Sequence, residues 1–251
     1  YHAHTWRCQH ACDTEREYIE AAIAMGIEIF GFSDHVPCPY TDGYVSGIRM
    51  TMQQAPEYVE TIRKLEAEYQ DQIKIYVGFE AEYVPEFYEE QMRLFRNLGC
   101  DYMIMGQHFL GSEQMGPYTG TETEDESRIR TYVDLVIEGM QTGSYAYLAH
   151  PDLFHFIGDP ACYEQEFRRL CVYLKEKQIP IEINQLGFAD HRQYPNPAFL
   201  KIAESVGNTA IIGCDAHHPS ALLDTDSQQA CKKLAEQYHL PLVEVFPQLS
   251  R

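Results

Sequence analysis

Basic side chains are scarce in this chain of 251 residues: 19 lysines and arginines stand against 38 aspartates and glutamates, for a formal net charge of −19. Such a surface repels a polyanionic backbone, which sets nucleic acid aside as a partner. Long apolar runs are missing as well. No stretch of about 18 apolar residues appears, so no membrane span is expected. The start Tyr1-His2-Ala3-His4 has neither the basic nor the apolar region of a secretory leader. The expectation is therefore a soluble, cytoplasmic protein. There is no P-loop, no glycine-rich dinucleotide turn and no nucleophile elbow. Ser33-Asp34-His35 has the letters of a catalytic triad, but three adjacent residues cannot form the relay that separated residues form in space. The eight cysteines are scattered and are read as reduced thiols.

What the chain does have is histidine in particular places. Seven of its 11 histidines, with one glutamate and one aspartate, sit where apolar β-like runs end. The stations are His2-Ala3-His4, His10, Ser33-Asp34-His35, Phe79-Glu80, Gln107-His108, Ala149-His150 and Asp215-Ala216-His217. Imidazole nitrogens joined by a few carboxylates are the ligand set that zinc, manganese and iron share, so metal-assisted chemistry is indicated. A cluster of divalent ions also reverses the local potential, which keeps a small phosphate ester compatible with the acidic surface.

Short β-like runs alternate with stretches of helical period. Strands are expected to end near His4, Asp34, Glu80, Gln107, His150, Asn184 and Asp215. Helices are expected at about 13 to 25, 54 to 70, 85 to 98, 126 to 142, 162 to 178, 196 to 206 and 226 to 239. Asp13 is suited to cap the first, Pro56 to the first turn of the second, and Pro85 to the start of the third. Seven strand and helix units close most simply into an α/β barrel, here a single domain over 1–251, with its chemistry at the carboxyl ends of the strands. The stretches 36 to 52 and 109 to 125, rich in Gly, Pro, Ser and Thr, read as loops that wall or cover that mouth.

Alternation along a strand puts His2 and His4 on one face, and likewise Asp215 and His217. Glu80 ends an apolar run and is favoured as a ligand over Glu82, which is read as an outer or loop group. Cys8 and Cys12 flank His10, yet no second half completes a closed four-ligand zinc site. His150-Pro151-Asp152 offers a carboxylate to orient a ligating imidazole. His218 is read as a substrate or solvent contact and His239 as structural or exposed.

The ordered set of HxH, SDH, the Glu80 strand end, GQH, AHPD and CDAH resembles the PHP metallophosphoesterase family across nearly the whole chain. More narrowly, GFSDHVPCPYTDGYVSGIRM, KIYVGFEAEY, DYMIMGQH and the EIN to RQYPNP segment are similar to the histidinol-phosphate phosphatases of that family. The resemblance implies a distorted (β/α)7 barrel holding three divalent ions, zinc, iron or manganese. By it, His2, His4, Glu80 and Asp215 hold the first ion. Glu80, His108 and His150 hold the second, and His10, His35 and His217 the third. It further implies hydrolysis of a small phosphate monoester, L-histidinol phosphate, in histidine biosynthesis. A hydroxide shared by two ions is the expected nucleophile.

Three divalent ions outweigh the carboxylates Glu80 and Asp215, which suits a phosphate dianion. The proton for the leaving alkoxide is open between Asp34 in protonated form, His155 and His218. Two departures bear on the substrate. The family's histidinol-phosphate enzymes often carry an arginine after the Asn-x-x-Gly segment and another after the His-x-Asp-Leu segment. Here Phe188-Ala189 and Phe154-His155 stand at those places, and Arg192 and Arg49 are the candidate replacements for phosphate contact. Another phosphate ester, or a binding module without activity, is the alternative; the oligomeric state is not legible.

Overall fold

Parallel pairing follows from strands that run the same way with helices between them. The computed structural model describes residues 1–245, and it is α/β with parallel sheets. Its strands are β1 (Ile29–His35), β2 (Lys74–Ala81), β3 (Tyr102–Met105), β4 (Ile181–Asn184) and β5 (Ala210–Gly213), ordered β1-β2-β3 in one sheet and β4-β5 in another. Its helices are α1 (Glu15–Ala24), α2 (Ala55–Tyr69), α3 (Pro85–Leu98), α4 (Glu126–Gln141), α5 (Pro160–Glu176), α6 (Gln185–Ala189), α7 (Pro197–Val206) and α8 (Thr225–Gln237). No helix among the described residues is long and apolar enough to cross a membrane. All eight cysteines are thiols.

The chain divides into two compact units. The first comprises Tyr1–Ala81, Pro85–Met103 and Cys214–Thr225. Its β1 and β2 run in a register that sets His35 opposite Glu80 and Asp34 opposite Phe79. The N-terminal segment lies along β1, with the Ser33 amide donating to Ala3 O at 2.8 Å, and Ala3 pairs in parallel with Ala216. Phe32, Tyr58 and Phe79 are buried in its core. Gly78 is required by a close approach: a Cβ there would lie 2.3 Å from Tyr102 O. The Tyr102 hydroxyl crosses the strands to donate toward Tyr1 O (2.7 Å) and Phe32 O (3.0 Å), tying the N-terminus to β1.

The second unit comprises Glu82–Val84, Ile104–Gly213 and, of the described residues, 226–245. Leu148 bridges in parallel to Met105 and to Ile181, so residue 148 stands between β3 and β4. Tyr132, Phe154, Phe167 and Phe199 build its core between α4, α5 and α7. Burying such side chains stabilises by about 1.5–3 kcal/mol each, which outweighs helix propensity.

Three expectations need correction. The strands expected to end near His4 and His150 are reduced to isolated bridges at Ala3 and Leu148, because the chain turns at once into 3-10 turns at Trp6–Cys8 and Pro151–Leu153. Thr14, not Asp13, caps α1, through a reciprocal capping box with Glu17. Asp13 lies outside the helix with φ +67°. The helix expected from about 162 starts at Pro160, with Asp159 as its cap. Pro56 stands in the first turn of α2 and Pro85 opens α3.

Candidate metal centre

In the first unit the two alternate-residue motifs are paired with each other. Around the Ala3–Ala216 bridge the His4 amide donates to Ala216 O (2.9 Å) and the Ala216 amide to His2 O (3.2 Å). His2 and His4 therefore face Asp215 and His217. Four donor atoms converge: His2 Nε2 lies 3.5 Å from Glu80 Oε2 and 3.4 Å from Asp215 Oδ1, and His4 Nε2 lies 3.5 and 3.1 Å from the same two oxygens. A tetrahedral ion with bonds of about 2.0–2.1 Å separates neighbouring donors by roughly 3.3 Å, so this set fits a divalent cation. The β1–β2 register brings in His35, whose Nδ1 is 3.0 Å from Glu80 Oε2.

Three further imidazoles crowd the same cluster. The His4 and His217 rings stack at 4.2 Å, His10 and His217 at 4.7 Å, and His4 lies 4.4 Å from His35. A carbonyl can only accept, so it fixes a tautomer. His10 Nδ1 donates to Cys8 O (2.7 Å) and His217 Nδ1 to Asp215 O (2.9 Å), which leaves each Nε2 with its lone pair for a ligand. Asp215 itself is held at φ +52°, a left-handed conformation that costs a non-glycine residue on the order of 1–3 kcal/mol.

The electrostatics demand positive charge. Burial disfavours a charged His4, yet Asp215, Asp34 and Glu80 together raise it to about 9. Asp215 is fully buried, which alone would raise its pKa, but the surrounding histidines hold it well below the ordinary carboxylate value. His217, by contrast, is lowered to about 3 by burial and by the charge on His4, so it stays neutral and able to ligate. Asp34 is buried; His4, His35 and Thr5 nevertheless hold its carboxyl below the usual range. Its oxygens accept from the Thr5 hydroxyl and the His35 amide and lie 3.4 Å from His4 Nδ1. As a carboxylate it orients His4.

The remaining residues of the first unit divide clearly. Cys8 is buried with its sulfur near His10 and His217, whereas Cys12 is exposed beside Asp13. His218 is exposed and bonded to Ser220. Arg49 is buried in the loop after His35, where its guanidinium donates to Val36 O at 3.1 Å. Arg7, which the sequence reading did not single out, is 2 % exposed and clamps the turn between His4 and His10 to Glu15 and Glu57.

In the second unit His108 and His150 lie with ring centroids 4.9 Å apart. Glu82 Oε1 is 3.0 Å from His108 Nδ1, an outer carboxylate of the kind that orients ligating imidazoles. His150 has φ +27°, and its amide donates to Glu182 Oε2 at 2.9 Å. Asp152 accepts from the Asn196 amide, and burial pushes its carboxyl up to about 7. Arg192 is half-exposed, paired with Asp190 at 2.8 Å and reaching the Tyr194 hydroxyl at 3.2 Å; the Tyr194 ring lies 5.9 Å from that of His150. His155 is partly exposed, 3.8 Å from Glu122. His239 is exposed and pairs with Glu204. Glu182 is the residue that sequence reasoning missed; the signal was a carboxylate inside the apolar run Ile181-Glu182-Ile183.

Residues 1–186 match the family model described as PHP domain. The chain belongs to the PHP domain family. A protein of Deinococcus radiodurans, named "Probable histidinol-phosphatase", is 29% identical over 231 residues, covering 87% of this chain and 85% of that one. The Bacillus subtilis histidinol-phosphatase is 34% identical over 119 residues, 45% of this chain and 44% of its own. The fold is shared with solved structures. A histidinol phosphate phosphatase structure from Lactococcus lactis, complexed with zinc, L-histidinol and phosphate, superposes with a TM-score of 0.76 at 22% identity, covering 99% of this chain and 96% of that one. A Listeria monocytogenes structure gives 0.74 at 19% identity, covering 90% and 98%.

Proposed function

We propose that this PHP protein is a metal-dependent phosphoric monoester hydrolase whose substrate is L-histidinol phosphate, released as L-histidinol and phosphate in histidine biosynthesis. The observation that carries the proposal is the convergence of His2, His4, Glu80 and Asp215 at the donor spacing of a divalent cation. The names of the relatives supply the substrate, and the solved relative with zinc, L-histidinol and phosphate supports the same class.

In this reading the first ion is held by those four residues and the third by His10, His35 and His217. The second, carried over from the family resemblance, falls to Glu80, His108 and His150. Divalent ions, zinc, iron or manganese, supply Lewis acidity toward phosphate oxygens and make water a nucleophile near neutral pH. The chain's own residues do the rest. The Cys8 and Asp215 carbonyls keep Nε2 of His10 and His217 deprotonated, and Asp34 aligns His4. Arg192 and Arg49 contact the phosphate oxygens, in place of the two arginines the family's histidinol-phosphate enzymes often carry. The proton for the leaving alkoxide comes from Asp34 in protonated form or from His155 or His218, the two histidines that reach solvent. A single domain folded as a distorted (β/α)7 barrel, carried over from the family resemblance, is part of the same proposal. The two missing arginines favour, as a second reading, another small phosphate monoester.

The test is phosphate release from L-histidinol phosphate by metal-replete and chelated protein, alongside a panel of other monoesters. The proposal expects turnover that is lost on chelation and restored by one of the three metals, with histidinol phosphate the best substrate. Turnover indifferent to chelation contradicts the metal role, and a better monoester replaces the substrate.

A further inference from the structure

Glu182 is a buried carboxylate in the middle of a short strand, where an unpartnered charge would be costly. Three features of the second unit converge on it. Its Oε2 accepts both the His150 amide and Asn184 Nδ2, each at 2.9 Å. Its own amide donates to Leu148 O at 2.9 Å, so strand pairing brings it level with the residues leading into His150. Its other oxygen fills the space over Gly213 on β5, where an added Cβ would stand 1.6 Å from Oε1. Between them, His150 is held with φ +27° and ψ 60°, immediately before Pro151. The proline bars a standard helical entry, and the anchor from Glu182 holds the unusual backbone that carries the imidazole.

We propose that Glu182 is a positioning residue for the ion that His150 ligates, acting through the His150 backbone rather than by touching the ion, and that Gly213 is retained to make room for it. The inference rests on the proposed reading of His150 as a ligand. It separates shape from charge. A glutamine can place one oxygen where Oε2 is and keep both hydrogen bonds, so charge is dispensable if position is what matters.

Cobalt titration of the metal-free full chain, followed by its visible absorption and by ion count after dialysis, decides the matter on wild type, His150→Ala, Glu182→Ala, Glu182→Gln and Gly213→Ala. The expected result is that His150→Ala loses one ion and that Glu182→Ala weakens the same ion at least tenfold, while the other ions stay. Gly213→Ala, which drives the carboxylate away with one methyl, should copy Glu182→Ala, and Glu182→Gln should bind within about threefold of wild type. Should Glu182→Ala fail to fold, Gly213→Ala and Glu182→Gln carry the test. A carboxylate serving only the fold would lower Tm and leave the ion count unchanged. If His150→Ala loses an ion and Gly213→Ala or folded Glu182→Ala does not, Glu182 has no positioning role. If His150→Ala loses none, the ligand reading fails and this inference with it. Loss of the ion in Glu182→Gln as well overturns positioning in favour of charge.

Discussion

One pair of histidines in the first unit and the pair in the second are held by different means. In the first, His10 and His217 are oriented by backbone carbonyls two residues upstream, so the device is local and no side-chain substitution can delete it. In the second, His108 leans on Glu82 and His150 on Glu182, side chains that lie 26 and 32 positions away. The contrast teaches that the orientation of His10 and His217 is written into short motifs, whereas that of His108 and His150, like that of His4 beside Asp34, depends on side chains brought in from distant segments. Side-chain variants away from the ligands should therefore perturb His108, His150 and His4 and spare His10 and His217, whose turn yields only to loss of a ligand or of the Arg7 clamp.

The largest effect should come from a ligand. Asp215→Asn removes a carboxylate facing both His2 and His4. It should cost more than the 10–100-fold typical of outer residues, so kcat/KM and metal content should fall together by more than about 100-fold with the circular dichroism unchanged. Full metal in an active Asp215→Asn protein would sink the ligand assignment. Arg7→Ala should come next, leaving Glu15 buried without its cation. Broken buried pairs cost about 3–5 kcal/mol, and the half-exposed Glu57 puts this case near the lower figure, about 3 kcal/mol by denaturant unfolding. A change under about 1 kcal/mol would show that the turn stands without its clamp.

Glu82→Ala tests the second unit. It should reduce metal affinity or activity by roughly 10–100-fold while Tm moves little; equal loss of every ion would erase the distinction drawn between the units.

Protons sharpen the comparison further. His4 in the metal-free protein is raised to about 9 by Asp215, Asp34 and Glu80, against the opposing effect of burial. That contribution to stability is full below the unfolded value of about 6.5 and is lost as pH rises through about 9. Metal-free protein should thus lose Tm between pH 6.5 and 9, and apparent metal affinity should climb over the same interval as the proton leaves His4. A flat metal-affinity profile there would remove the proton from His4. The smallest effect is expected at Arg192, already shared with Asp190. Arg192→Ala should cost about 1.5 kcal/mol, roughly tenfold in kcat/KM, seen mainly in KM; unchanged kinetics would take Arg192 away from the phosphate.

Legibility in the sequence follows the same division. His2-Ala3-His4 and Asp215-Ala216-His217 were readable because strand alternation alone puts their members on one face. That the two motifs pair with each other was not, since the Ala3–Ala216 bridge joins opposite ends of the chain. Glu80 was readable as the end of an apolar run, but its contact with His35 needs the β1–β2 register. Helices α2, α3 and α4 followed their apolar period, whereas α6 is five residues long with a central Gly187 and owes its start to the Asn184 cap. Glu182 escaped notice because what it holds is a backbone amide on another segment.

The most direct test of the central claim compares esters on one metal-replete preparation at fixed pH and salt. A phosphate monoester presents more terminal oxygens and more charge to a cationic site than a diester does, and the acidic surface further opposes long nucleic acid. The account predicts that kcat/KM for L-histidinol phosphate exceeds that for any diester by at least about tenfold, which needs only about 1.4 kcal/mol of differential transition-state binding. A diester hydrolysed as well as the best monoester would contradict it and make the protein a phosphodiesterase.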